Sequence, residues 1–243
     1  MKQGIFSIAV NTAIAPGVFR MELKGDTSAV TAPGQFINIR LEGNFLRRPI
    51  SVHGWNEETL TILYKVVGKG TEKLSSYQPG TELDILTGLG NGFSTDIPCK
   101  KPLLIGGGIG TAPLFPLACQ LCAQKKTPAV ILGFNTASEI FGAEEYREIG
   151  CETIITTVDG SAGIKGFVTD AMKDLAFDYY YACGPEPMLK AVFRAAETDG
   201  ELSFEERMGC GFGACMGCSC KTVTGYKRIC KDGPVLKKEE ILW

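Results

Sequence analysis

The hydrophobic rhythm of the chain changes at about residue 100, and that change limits the possible architecture more than any other feature. Up to residue 99, apolar and polar residues alternate in short runs, 4–12, 18–24, 35–41, 48–53, 59–67 and 82–86. They are broken by Ala15-Pro16-Gly17, Pro33-Gly34 and Pro79-Gly80. Short period-two runs between turn residues read as half-buried strands, and six of them predict a small antiparallel barrel. From Lys101, buried strands at Pro102–Ile105, Ala129–Phe134, Thr153–Thr157 and Tyr179–Ala182 alternate with helical stretches near 111–124 and 186–197. That alternation predicts a doubly wound parallel α/β unit. From about Arg207 there remains a cysteine-rich segment with a polar tail, too short to build a core without a metal. The expected fold is therefore multidomain β plus α/β, with divisions at 1–99, 100–206 and 207–243.

The last segment carries Cys210, Cys215, Cys218 and Cys230, the first three within Cys-Gly-Phe-Gly-Ala-Cys-Met-Gly-Cys. Four residues and then two separate these three, the opening spacing of a plant-type [2Fe–2S] loop that a more distant cysteine completes. Gly211, Gly213, Ala214 and Gly217 let the backbone wrap closely and aim N–H groups at sulfur, which favours a negatively charged centre. A structural zinc ion is the alternative occupant, although zinc sites usually come as two short cysteine pairs. Cys220 could in principle replace Cys218, but the alternation along Ser219–Val223 places it in a strand. Ten cysteines in 243 residues fall short of a disulfide scaffold and suit a reducing compartment.

Composition removes other classes. A net charge of −2 with no lysine or arginine cluster offers no basic face for nucleic acid. The longest apolar run, 103–119, is interrupted by Gly106, Gly107, Gly108, Gly110, Pro113 and Pro116, whereas a spanning helix needs about 20 apolar residues. The N-terminus enters a strand pattern directly and shows no apolar signal core, so a cytoplasmic location is expected.

Two strand-end turns carry ligand-binding chemistry. Gly106-Gly107-Gly108-Ile109-Gly110-Thr111 follows a strand and opens a helix, where backbone N–H groups and a helix N-terminus can meet a pyrophosphate. Thr111 and Pro113 stand where a third glycine of the usual dinucleotide fingerprint would fall, so a tight turn without ligand is the competing reading. Cys183-Gly184-Pro185 begins a second helix and could face the same crevice. By itself Cys183 is also a buried small hydrophobe. In the barrel segment, Arg48-Pro49-Ile50-Ser51 and Gly68-Lys69-Gly70-Thr71 together offer a guanidinium fork and a glycine turn for a diphosphate. A surface ion pair is the plain reading of Arg48, and a hydrogen-bonded loop position that of His53, the one histidine.

In this order, the barrel motif, the nucleotide turn and the Cys-Gly-Pro turn resemble the ferredoxin–NADP reductase superfamily. With Glu206-Arg207-Met208-Gly209-Cys210 through Cys218 and Cys220, and the later Cys230-Lys231-Asp232-Gly233-Pro234-Val235, the whole chain is similar to the electron-transfer subunits of NAD-dependent (class 1B) dihydroorotate dehydrogenases. The resemblance implies an FAD-binding barrel, an NAD-binding α/β domain and a [2Fe–2S] domain. It implies that Arg48, Pro49, Ile50 and Ser51 contact FAD, Arg48 at the diphosphate and Ser51 at the isoalloxazine edge. Leu63, Tyr64, Lys65, Gly70 and Thr71 would complete that site. Gly107, Gly108, Gly110 and Thr111 would meet NAD, with Cys183 and Gly184 near the nicotinamide, and Cys210, Cys215, Cys218 and Cys230 would hold the cluster. The partner implied is an FMN-containing catalytic subunit that oxidises dihydroorotate in pyrimidine synthesis, in a heterotetramer with two of each chain. Electrons would pass singly through the cluster to FAD and as hydride to NAD⁺, with no side-chain acid or base required. Two alternatives stay open: a flavin subunit of another NAD(P)H-linked ferredoxin or sulfur reductase complex, and a zinc-stabilised interaction module. No residue that would read the ribose 2′ position is identifiable, so the sequence leaves NAD against NADP undecided.

Overall fold

Six strands close on themselves around the apolar side chains they turn inward. In the computed structural model, which describes residues 1–243, the strands are β1 (Lys2–Ala15), β2 (Val18–Lys24), β3 (Phe36–Ile39), β4 (Arg48–Trp55), β5 (Thr59–Lys65) and β6 (Glu82–Leu89). They form a closed antiparallel barrel in the order β1-β2-β5-β4-β3-β6, with β6 returning to β1. Helix α1 (Lys69–Ser75) lies between β5 and β6. Phe6, Met21, Ile37, Val52, Ile62 and Ile85 point inward and are buried; each fully buried apolar side chain of this size contributes roughly 1.5–3 kcal/mol. Closure leaves no free strand edge. β4 runs two residues beyond its expected end, which corrects one reading: His53 lies on this strand and not in a loop.

The second unit is a seven-stranded sheet in the order β10-β9-β8-β7-β11-β12-β15. Its parallel members are β7 (Pro102–Gly107), β8 (Ala129–Phe134), β9 (Glu152–Thr157), β10 (Ile164–Lys165), β11 (Tyr179–Cys183) and β12 (Gly200–Ser203). Along β7, Leu104 packs with α2 (Leu114–Ala123) and α3 (Ala143–Glu148) on one face. Leu103 and Ile105 pack with α4 (Val168–Met172) and α5 (Glu186–Ala195) on the other. Burial on both faces is what makes these strands continuous apolar runs in the sequence. A 3₁₀ turn, Gly108–Thr111, precedes α2, so the helix begins at Leu114, later than its pattern suggested. The strand order reverses between β7 and β11, which places a crevice at their C-terminal ends.

The cysteine segment is mounted on this sheet. After the hairpin β13 (Ser219–Thr222) and β14 (Gly225–Arg228), strand β15 (Val235–Lys237) pairs antiparallel with β12, Ser203 opposite Val235 and Glu201 opposite Lys237. Residues 204–234 are thus an excursion between two paired strands. Cys218, Ile229, Cys230, Leu236 and Ile241 join the core on the α4/α5 face, together with Phe36 of the barrel. Asn91 adds a stitch: its side chain donates to Val235 O at 2.8 Å and accepts from Val235 N at 3.1 Å. No helix is long and apolar enough to cross a membrane.

Candidate functional site

At the crevice the two turns touch. A Cβ on Gly110 would stand 2.4 Å from the Cys183 carbonyl oxygen, and one on Gly107 would stand 2.4 Å from Met188 Sδ. A Cβ on Gly184 would come within 3.1 Å of the Gly107 nitrogen. Gly110 is therefore required by close approach of backbone to backbone, Gly107 is crowded by the Met188 side chain, and Gly108 adds a left-handed φ of 53°. Thr111 folds back against Gly106 and donates from Oγ1 to Gly108 O at 3.0 Å, which closes the turn without a third glycine. Gly107, Gly108, Gly110, Thr111, Cys183 and Gly184 are brought into one place. Cys183 is half-buried at the strand end, and desolvation pushes its thiol up to about 12, which disfavours the thiolate.

The barrel side of the site is built from β4 and α1. The Arg48 guanidinium lies against Gly70, where a Cβ would be within 2.8 Å of Nη2, and Nη2 donates to Asn44 Oδ1 at 2.7 Å. The ion pair suspected for Arg48 belongs to its neighbour: Arg47 Nη2 meets both Asp84 carboxylate oxygens at 3.0 Å. Thr71 Oγ1 accepts from Val67 N at 2.9 Å and secures the turn into α1. Pro49 and Ser51 lie across from Asn38 and Phe36, while Ile50 pairs with Ile37 of the barrel core. Leu63 faces the sheet domain. The Tyr64 ring is buried in the barrel, stacked on Phe19, with its hydroxyl donating to Asn11 Oδ1 at 2.8 Å. Of Tyr64, then, the barrel leaves the main chain as the part that can meet a ligand, and Lys65 ends the strand opposite Val18.

The two halves of the crevice are joined by residues that no motif marked. His53 is buried, stacked on Phe115 at 5.0 Å; its Nδ1 lies 3.0 Å from Ala112 O and its Nε2 3.2 Å from Glu145 Oε2. Arg20 donates to Glu145 Oε1 at 2.8 Å, and Tyr146 donates to Thr111 O at 2.7 Å. The hydrogen bond from His53 holds the Glu145 carboxyl below its ordinary value against the opposing effect of burial, and Arg20 adds to it. The signal in the sequence was the single histidine two residues after Ser51, which spacing alone cannot connect to Glu145.

In the cysteine loop, backbone N–H groups point at sulfur. Ala214 and Cys215 donate to Cys210 Sγ at 3.2 and 3.4 Å, and Cys210 and Gly217 donate to Cys215 Sγ at 3.4 Å each. Burial alone would raise the Cys210 thiol, but the N–H groups of Phe212, Cys215 and Ala214 outweigh it and bring the group down to about 6. Separately, Cys230 N donates to Cys218 Sγ at 3.3 Å. Main-chain N–H groups thus link Cys210 with Cys215 and Cys218 with Cys230. Left-handed φ angles at Gly211, Gly213 and Met216 wrap the loop, and Arg228 ties its two parts by donating to Gly213 O at 2.9 Å while paired with Asp232. Four thiols furnished with N–H donors fit a two-iron cluster. Cys220 sits in β13 opposite Lys227, its thiol raised by burial.

Comparison with known proteins decides what this arrangement belongs to. Residues 205–242 match the iron-sulfur cluster binding domain of dihydroorotate dehydrogenase B, and residues 104–194 match the oxidoreductase NAD-binding domain. The dihydroorotate dehydrogenase B (NAD(+)) electron transfer subunit of Fusobacterium nucleatum is 41% identical over 97% of this chain and 96% of its own. That of Geobacillus sp. strain WCH70 is 42% identical over 100% and 99%. The chain belongs to this family. Its members are electron transfer subunits by name, and the name carries NAD⁺ with it. Among solved structures, a chain of the NADH-dependent reduced ferredoxin–NADP oxidoreductase, described for flavin-based electron bifurcation, superposes with a TM-score of 0.89 at 33% identity. The match covers 99% of this chain and 90% of that one. The FAD/NAD-binding domain of nitric oxide dioxygenase from Vibrio cholerae, at 22% identity and a TM-score of 0.71, shares the barrel-plus-sheet fold. Barrel, parallel sheet and cluster domain thus make an oxidoreductase component with an iron–sulfur module, of the flavin- and nicotinamide-linked reductase type.

Proposed function

We propose that the chain carries electrons from an FMN-containing dihydroorotate-oxidising subunit to NAD⁺, as the electron-transfer half of a heterotetramer with two of each chain, serving pyrimidine synthesis in the cytoplasm. A [2Fe–2S] centre and FAD, when bound, supply the exchange between single electrons and hydride that such a task requires. This chain's residues bind and orient. Arg48 with Gly70 and Thr71 seats the flavin diphosphate; Pro49, Ile50, Ser51 and Leu63–Lys65 border its ring system. Gly107, Gly108, Gly110 and Thr111 receive the nucleotide, and Cys183 and Gly184 back the nicotinamide. Cys210, Cys215, Cys218 and Cys230 hold the cluster. The domain limits that follow are 1–99, 100–206 and 207–243. The observation that carries this reading is the pairing of a nitrogen-lined cysteine loop with a glycine-built crevice at the strand reversal, in a chain about 40% identical to named electron transfer subunits over its full length. Cys215 is exposed, and Phe212 and Met216 beside it are 44% and 52% exposed, which leaves the loop open to a partner.

Co-purification tests the proposal. A brown-yellow complex with a dihydroorotate-oxidising partner, FAD, and two irons and two sulfides per chain of this type is expected; a colourless protein, or zinc without iron, would overturn it. Rates with NAD⁺ and NADP⁺ side by side fix the nucleotide. A second reading, a subunit of another NAD(P)H-linked ferredoxin reductase complex, rests on the 33% identity to the ferredoxin–NADP oxidoreductase chain. A large iron–sulfur partner in the same pull-down would favour it.

A further inference from the structure

Asn38 lies between the barrel motif and the cysteine loop. On β3 it pairs with Pro49 of β4, so the two side chains share the outer face of the barrel with Phe36 and Ser51. That face packs toward the cluster segment, since Phe36 belongs to the core that contains Cys218 and Cys230. Asn38 is 1% exposed. Its Nδ2 donates to Cys210 O at 3.3 Å, and Gly211 presses so closely on the same amide that a Cβ there would stand 2.3 Å from Nδ2. The main-chain carbonyl of Asn38 accepts from Arg47 Nη1 at 3.4 Å, and Arg47 is itself locked on Asp84. The side-chain oxygen, Oδ1, is buried with no hydrogen-bond partner. A buried amide oxygen without a donor costs about 1–3 kcal/mol, so its retention points to a donor that binding supplies.

We infer that Asn38 is the positioning residue between the two redox groups: Nδ2 fixes the cluster loop against the barrel through the Cys210 carbonyl, and Oδ1 accepts a hydrogen bond from an N–H or hydroxyl of the flavin seated beside Pro49. The inference rests on the cofactor assignment proposed above. Outer partners of a metal ligand set its orientation and tune its potential, and their loss costs roughly 10–100-fold in affinity or activity. A single amide that touches both sites would therefore set the approach and the potentials of both groups together. Nothing in the resemblance marked this position. Its signal was one polar residue in an otherwise apolar strand, Phe36-Ile37-Asn38-Ile39.

Asn38→Ala and the isosteric Asn38→Asp, which keeps an oxygen but removes the donor, test it in the intact complex with the catalytic partner. Iron and FAD are assayed first: their absence from the wild-type complex would sink the cofactor reading and this inference with it, whereas a failure confined to the variants' readouts counts against Asn38 alone. With both present, each variant should lower kcat for dihydroorotate-dependent NAD⁺ reduction about tenfold or more while leaving KM for NAD⁺ unchanged. Both should also shift the electron paramagnetic resonance signal of the dithionite-reduced cluster and its midpoint potential. Asn38→Ala should alter the flavin absorption band as well. Iron lost with FAD retained would also support a loop held by this amide. Wild-type kcat, signal and potential in both variants would overturn the inference, as would joint loss of both cofactors in both, which would make Asn38 a folding residue only.

Discussion

Two cysteines on the sheet side of the molecule show how far surroundings decide chemistry. Cys183 ends a parallel strand, half-buried against the glycine turn, and desolvation lifts its thiol to about 12. Cys210 sits in an irregular loop where successive N–H groups converge on its sulfur and bring it down to about 6. The nucleotide turn excludes side chains so that a ligand can meet backbone; the cysteine loop turns backbone inward so that side chains can meet iron. Glycine serves both, through close contact in the first and left-handed φ in the second.

The largest break in this comparison is Cys215→Ser. It removes the proposed ligand sulfur that accepts two N–H bonds, so partner-dependent NAD⁺ reduction should vanish while NADH oxidation by artificial hydride acceptors persists, as steady-state assays of both reactions would show. Equal loss of both would mean that the two regions are not separable. Next is Gly110→Ala, whose Cβ would strike the Cys183 carbonyl. Overpacking of this kind costs about 1–3 kcal/mol, and a raised KM for NAD⁺ with unchanged iron content is the expected result. Glu145→Gln probes the joint between the regions' two supports. Because the native carboxyl is held below its ordinary 4.5, its stabilisation is complete above that value and is lost as pH falls through the lowered one. Thermal denaturation should therefore show the wild type losing its advantage over the variant, about 1 kcal/mol or less, only below pH 4.5. The smallest effect belongs to Cys183→Ala. Removing a half-buried thiol whose ionisation is disfavoured should change kcat/KM only a few-fold, and in the wild type the thiol should alkylate more slowly at pH 8 than after the protein is denatured.

Much of this was legible in the sequence because it is local. The six barrel strands, the four main sheet strands and the glycine turns announce themselves through period, turn residues and spacing, all within a dozen positions. Several short elements did not. α3 and α4 have six and five residues, too few to show a helical period, and β12 carries the buried Glu201, whose carboxylate accepts from Ser94 N at 2.8 Å and so offsets a burial no pattern would allow. β15 is invisible for another reason: three residues in a polar tail become a strand only because β12 waits more than thirty positions earlier. In the same way the cysteine spacing was readable, whereas its attachment to Asn38, 172 positions away, and the contact of His53 with Glu145 are products of tertiary packing.

That β12 and β15 pair with each other has a consequence for the life of the metal-bearing segment. Both ends of the excursion are sewn into the same sheet, by main-chain pairing that involves none of its cysteines. Cys215 lies exposed on that excursion, within an oxidant's reach, while Cys218 and Cys230 are sheltered in the core behind it.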